Sequence, residues 1–179
     1  LVIQVKELFV GVFSLIMNLS MFTIISIGVC VPDGMLFHLF GPIAGRRHDA
    51  FLYRTSQLRQ LINGYHMPDG RPLCLYGDSA YGMQPHLKGP YRGVNVTRQQ
   101  RDMNRNMSAM RVSVEWAFGK VCSLFAFLDY KKNQRIFLQP VGMYYRVGVL
   151  LTNCHTCLYG SETGAYFNCT PPTLQEYVS

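Results

Sequence analysis

A chain of 179 residues, 49% of them hydrophobic, buries one sizeable core and is too short for two independent domains of ordinary size. Seventeen basic against 10 acidic residues give a net charge of +7, which favours polyanionic partners such as nucleic acid or an anionic membrane surface. Six cysteines, at 30, 74, 122, 154, 157 and 169, lie scattered through apolar stretches without the dense spacing of a secreted disulfide scaffold, so a reduced intracellular setting is expected.

From Phe9 to Val31 there is no charged residue. As a helix this run would be about 34 Å long, enough to span a bilayer. No basic cluster flanks it to set an orientation, and Ser14, Asn18, Ser20, Thr23 and Ser26 dilute it. A buried strand or a non-native leader is the preferred reading; a membrane-anchored small protein is the alternative, and a membrane partner is not expected. Residues 1–28 are taken as a divergent apolar leader.

Beyond the leader the texture is α/β. Val29 to Val31, Pro32-Asp33-Gly34, then Met35 to Phe40 predict strand, tight turn and strand, since proline presets φ and glycine tolerates positive φ. Gly41-Pro42 and Gly45 break the chain. His48-Asp49 then precedes Ala50 to Ile62, where Phe51, Leu52, Leu58, Leu61 and Ile62 recur near helical spacing, with Asp49 placed as N-cap. After turns at Asn63-Gly64 and Pro68-Asp69-Gly70, Leu73 to Tyr76 reads as a buried central strand that ends in Gly77-Asp78-Ser79-Ala80-Tyr81-Gly82. Asp78 thus stands at a carboxyl strand end, where ligands collect in α/β sheets.

Residues 85–100 are expected to be loop-rich, followed by a helix from about Asn104 to Phe125 whose apolar stripe is Met107, Met110, Val114, Phe118, Val121 and Phe125. Glu115 lies off that stripe, on a face with Ser108, Arg111, Gly119 and Cys122. Lys131-Lys132 and Arg135 form a basic turn, Val141 to Leu158 a second, mostly apolar helix, and residues 161–179 a C-terminal strap. Within that second helix Cys154 and Cys157 form a CxxC around His155. They could supply two zinc ligands or a redox couple, but no second ligand pair follows, and two small core residues are the preferred reading.

Of the ten acids, Asp33 and Asp69 sit in turns and Asp49 at a helix start, where backbone chemistry explains them. Asp78 and Glu115 have no such excuse. A strand-end carboxylate and a helix carboxylate suit a hard Mg²⁺ or Mn²⁺ ion, which takes one or two carboxylates plus waters and substrate phosphates. The alternative is that Asp78 caps a turn and Glu115 pairs with Arg111 one turn earlier.

Four motifs in order carry a family resemblance: Pro32-Asp33-Gly34; Gly41-Pro42 with Gly45-Arg46-Arg47-His48-Asp49; Gly77-Asp78-Ser79-Ala80-Tyr81; and Asn106-Met107-Ser108-Ala109-Met110-Arg111-Val112-Ser113-Val114-Glu115-Trp116-Ala117-Phe118-Gly119. Together they resemble the Harbinger-type (PIF/Harbinger) DDE transposases and their domesticated nuclease relatives, over residues 29–178. The resemblance implies an RNase H-like fold over 29–160, a mixed sheet flanked by helices, and three carboxylates holding two Mg²⁺ or Mn²⁺ ions. It also implies DNA as substrate and a nuclear location, with a separate DNA-reading partner protein as a further partner; a homo-oligomer is compatible with the sequence, which does not fix the oligomeric state. Asp78 matches the second catalytic Asp and Glu115 the catalytic Glu. His48 and Asp49 match a recurring His-Asp that supports the site or caps a helix.

The chain departs from the family at its first catalytic Asp. Residues 1–28 contain no Asp, and their only acid is Glu7 beside Lys6, so the first strand is taken as missing or replaced. The expected function is a divalent-metal-dependent DNA endonuclease, transposase-derived and impaired by that loss; a non-catalytic DNA- or protein-binding remnant is the other reading. For the softer role, Arg46, Arg47, Lys88, Arg92, Arg98, Arg101, Arg105, Lys131, Lys132 and Arg135 are candidates for phosphate contact.

Overall fold

The computed structural model describes residues 9–19, 22–44, 49–66, 70, 73–77, 86–128 and 141–179. Its centre is a mixed five-stranded sheet: β1 (Phe9–Leu19), β2 (Phe22–Cys30), β3 (Leu36–Ala44), β4 (Cys74–Tyr76) and β5 (Leu87–Lys88), in the order β3-β2-β1-β4-β5. β1 and β2 run antiparallel from Leu19↔Phe22 to Gly11↔Cys30, and β1 pairs in parallel with β4 through Phe9↔Cys74, Val10↔Leu75 and Gly11↔Tyr76. A strand is therefore present here, and of the two readings, missing or replaced, only the first is set aside. The apolar run expected to be a leader supplies both the middle strand and its antiparallel neighbour.

The physical reason lies in composition. Val10, Val12, Ile16, Thr23, Ile24, Ile25, Ile27 and Val29 are β-branched, and Gly11 and Gly28 weaken a helix. A strand in the middle of a sheet reads as a continuous apolar run, much as a membrane span does. No helix among the described residues is long and apolar enough to cross a membrane.

The Pro32-Asp33-Gly34 turn forms as its residues dictate. Gly34 takes φ 88°, its amide donates to Val31 O at 2.9 Å, and Asp33 Oδ1 accepts from Met35 N at 2.9 Å. β3 then runs through Gly41-Pro42 to Ala44 rather than breaking there. It is an edge strand, where proline's missing donor is tolerated, and a register shift between Ile25 and Ile27 absorbs the irregularity.

The helix expected over residues 50–62 is two: α1 (Asp49–Thr55) and α2 (Leu58–Asn63). Between them Gln57 takes a left-handed φ of 55°, and the Ser56 hydroxyl donates to Tyr53 O. Asp49 is the first helical residue rather than the residue before it. The long helix α3 (Arg98–Leu124) starts six residues earlier than its apolar periodicity suggests, at a capping box in which Thr97 and Gln100 satisfy each other's backbone amides. After a 3-10 turn, Ala126–Leu128, comes α4 (Val141–Tyr159). Residues 161–179 contain α5 (Glu162–Phe167) and α6 (Leu174–Val178), both with N-terminal side-chain caps.

Alternating residues of β2 feed two cores, as the period of a strand requires. Ile27 and Val29 pack with Leu52, Tyr53, Leu58 and Ile62 of α1 and α2 and with Leu75 and Leu87. On the other face Cys30 joins Leu36, Val114, Ala117, Phe118 and Val121 of the α3 side and Tyr145 and Val149 of α4. The result is a sheet between two helical layers.

One edge-strand residue is expected to make the fold pH-sensitive. Burial holds the His38 imidazole below its ordinary pKa of 6.5, and its Nε2 has no hydrogen-bond partner among the described residues. A depressed histidine pKa contributes stability that is present above the unfolded value and lost as pH falls below it, because the unfolded chain then binds the extra proton. The melting temperature is expected to drop between about pH 7 and about pH 5, and His38→Phe is expected to flatten that part of the profile. An unchanged profile in the variant would assign the sensitivity elsewhere.

Candidate functional site

The site is built on α3. Its buried face, Met107, Val114, Ala117, Phe118 and Val121, seats the helix on the sheet. The seat is close because β2 has a glycine there: a Cβ on Gly28 would lie 2.3 Å from Phe118 Cζ. Glu115, one turn before Phe118, points away from that seat with its side chain 52% exposed. Its Oε1 lies 4.0 Å from Arg111 Nη2, a solvent-exposed pair of small energetic weight. This is the i, i+4 partner that the sequence offered as the simpler explanation of Glu115.

Glu115 forms part of the wall of a cleft of about 760 Å³ between α3, the end of α4 and the start of α5, with Trp116, Lys120, His155 and Tyr159 also in the wall. Lys120 Nζ donates to Thr156 Oγ1 at 2.9 Å and to Gly160 O at 2.7 Å, closing the last turn of α4. Burial holds its ammonium below the usual lysine pKa, opposed by Glu162. Gly119 lines the cleft, and a Cβ there would meet no described residue within 4 Å.

β4 ends at Tyr76, and the amide of Gly77 donates to Lys88 O at 2.9 Å, pinning this strand end to β5. Asp78 follows and lies outside the described residues, as do Arg46, Arg47, His48, Lys131, Lys132 and Arg135. Asp49 opens α1. From Phe9 to Leu19, β1 contains no carboxylate, its side-chain oxygen donors being Ser14 and Asn18. Among the described residues no group of three or more His, Cys, Asp or Glu side chains could hold a metal ion.

The cysteine pair joins no group of three or more metal-ligating side chains among the described residues. Cys154 and Cys157 are free thiols, and Cys157 Sγ rests 3.9 Å from Met35 Sδ. Burial first, then Cys154 and Asp33, raise the Cys157 thiol above its usual pKa, and burial with Asp33 pushes Cys30 up to about 12. Thiolate, the reactive and metal-binding form, is disfavoured at both.

A feature that periodicity missed is the polar beginning of α3. Arg98, Arg101 and Arg105 are exposed at steps of three and four, so they share one side of the helix. Asn104 anchors the preceding loop there: its Oδ1 accepts from Tyr91 N at 2.9 Å and its Nδ2 donates to Tyr91 O at 2.9 Å. The Thr97-x-x-Gln100 capping box was the available signal for these two extra turns.

Residues 18–153, well over half of the chain, match the family described as DDE superfamily endonuclease. The match begins at the end of β1, so nearly all of that strand lies outside it. Comparisons with curated proteins and with solved structures found no match.

Proposed function

This chain belongs to the DDE superfamily endonucleases, and from that premise we propose that it is a Harbinger-type, transposase-derived nuclease domain whose metal-dependent DNA cleavage is impaired. The observation that carries the reading is the acid-free β1: the sheet has its middle strand, but the strand brings no carboxylate. A mixed sheet with helices on both faces supports the RNase H-like reading of the fold.

A centre of three carboxylates and two ions does not fit these residues. Asp78 and Glu115 would supply two carboxylates, which with waters and substrate phosphate oxygens suit one Mg²⁺ or Mn²⁺ ion. A divalent ion held there lowers the pKa of bound water and offsets charge on a phosphodiester. The exposed Glu115 carboxylate is reachable by such an ion without displacing a buried partner. The nucleus, DNA as substrate and a separate DNA-reading partner belong to this proposal.

Mn²⁺ calorimetry on the full chain tests it. Binding is expected to weaken about tenfold or more in both Asp78→Asn and Glu115→Gln, as loss of one of two charged ligands requires. Equal affinity in wild type and both variants would remove Asp78 and Glu115 from a common site.

The second reading, a non-catalytic DNA-binding remnant, rests on the Arg98, Arg101 and Arg105 stripe. It differs in one outcome: duplex DNA binding that persists under chelation and in Asp78→Asn, and weakens steeply with salt.

A further inference from the structure

β3 is the outermost strand on its side of the sheet. Its sequence, Leu36–Ala44, has no Lys, Arg, Asp or Glu, and Phe37 is 47% exposed. A long apolar edge strand offers unpaired N–H and C=O groups to any other extended chain, and folded proteins block such edges with charge, proline, bulges or cover. From Pro42 onward β3 is poor pairing material, because proline has no N–H to donate. The stretch that needs a block is therefore Leu36 to Gly41.

We propose that α4 supplies the block: Asn153 and Arg146 stand in for an added strand at the two ends of this stretch, so that no further strand can pair with β3. Asn153 reproduces the pattern of a strand residue. Its Oδ1 accepts from Leu36 N at 2.9 Å and its Nδ2 donates to Leu36 O at 3.0 Å, the two bonds that a residue of a neighbouring antiparallel strand exchanges with its partner. A carboxamide can do this because it carries the same acceptor and donor as a peptide group. At the other end Arg146 donates to Gly41 O from Nε at 3.2 Å and from Nη2 at 2.6 Å, which fills both lone pairs of that carbonyl.

Placement agrees. Arg146 and Asn153 are seven residues apart, two helical turns, and so project from one side of α4. Arg146 meets Gly41 and Asn153 meets Leu36, so the helix runs antiparallel along the strand. Between the blocked ends four residues remain, Phe37 to Phe40, fewer than the usual strand of about five or six. α6 fixes the amide of Asn153, since the Tyr177 hydroxyl accepts from its Nδ2 at 3.0 Å. The inference does not depend on the nuclease reading.

Ageing of the full chain at fixed concentration, followed by thioflavin T fluorescence and by infrared detection of intermolecular strands, decides it. Arg146→Ala is the informative variant, because Arg146 is exposed and its loss leaves the core intact. Its melting temperature is expected within about 4 °C of wild type, and its aggregation lag to be shorter by about tenfold or more through the opened edge. Arg59→Ala removes the same charge from an exposed position on α2 and is expected to age like wild type. Phe37→Lys, added to Arg146→Ala, is expected to restore the wild-type lag by placing a charge on the opened edge. An Arg146→Ala lag no shorter than that of wild type or of Arg59→Ala overturns the proposal. Fast aggregation that Phe37→Lys fails to suppress overturns it too, since that arises from unfolding or from another surface.

Discussion

Phe13→Asp is expected to raise Mn²⁺ affinity about tenfold or more and to bring Mn²⁺-dependent nicking of plasmid DNA above the wild-type level. The argument starts from the parallel register of β1 and β4, in which Gly11 is the partner of Tyr76. Position 13 is two residues beyond Gly11, as Asp78 is two beyond Tyr76. Across the other edge, Phe13 is the Cα partner of Gly28, the glycine over which Phe118 of α3 seats one turn after Glu115. A carboxylate at 13 therefore adds the missing acid on the middle strand of the sheet. A hard divalent ion gains chiefly from ligand charge and number, so Phe13→Asn, similar in shape to Asp but neutral, is expected to gain little. In an Asp78→Asn background the gain should shrink, because residues that share one ion couple. If Phe13→Asp folds, by its circular dichroism and melt, yet binds Mn²⁺ no better than wild type, β1 does not border the metal centre.

The largest stability loss is expected at Asn153, which is 4% exposed. Its Oδ1 accepts from Leu36 N at 2.9 Å, and its Nδ2 donates to Leu36 O at 3.0 Å and to the Tyr177 hydroxyl at 3.0 Å. One amide thus pairs both backbone groups of Leu36, the first residue of β3, and ties β3 and α6 to α4. Leu36 is itself buried. Asn153→Leu keeps the volume but leaves that donor and acceptor buried without partners, a cost of about 2–4 kcal/mol for the pair. Tyr177→Phe removes one half-buried bond and is expected to cost about 1 kcal/mol or less. Urea unfolding measures both. An Asn153→Leu midpoint within roughly 0.5 kcal/mol of wild type would mean that water replaces the amide.

Local chemistry determined several features from the sequence alone. The Pro32-Asp33-Gly34 turn needs only proline's φ, glycine's freedom and the Asp33 carboxylate reaching Met35 N. The core of α3 was legible because Met107, Val114, Phe118 and Val121 repeat at helical spacing and are all buried. The motifs from Pro32-Asp33-Gly34 to Gly119 pointed to the DDE endonucleases, and residues 18–153 match that family. The break at Ser56-Gln57 had no glycine or proline to announce it. The first turns of α3 are polar and carry no apolar period, and only the capping box marks them in the sequence.

Tertiary structure decided what composition leaves degenerate. An uncharged run from Phe9 to Val31 suits a leader, a bilayer helix or paired strands, because each removes apolar surface from water. Only the pairing of β1 with β2 and β4 places it in the middle of the sheet. Likewise α4 is apolar on both sides in sequence. Its orientation is set by Asn153 and Thr156, which point inward because their partners, Leu36 and Lys120, lie there, and that leaves Met143, Val147, Leu150, Leu151 and Leu158 facing water.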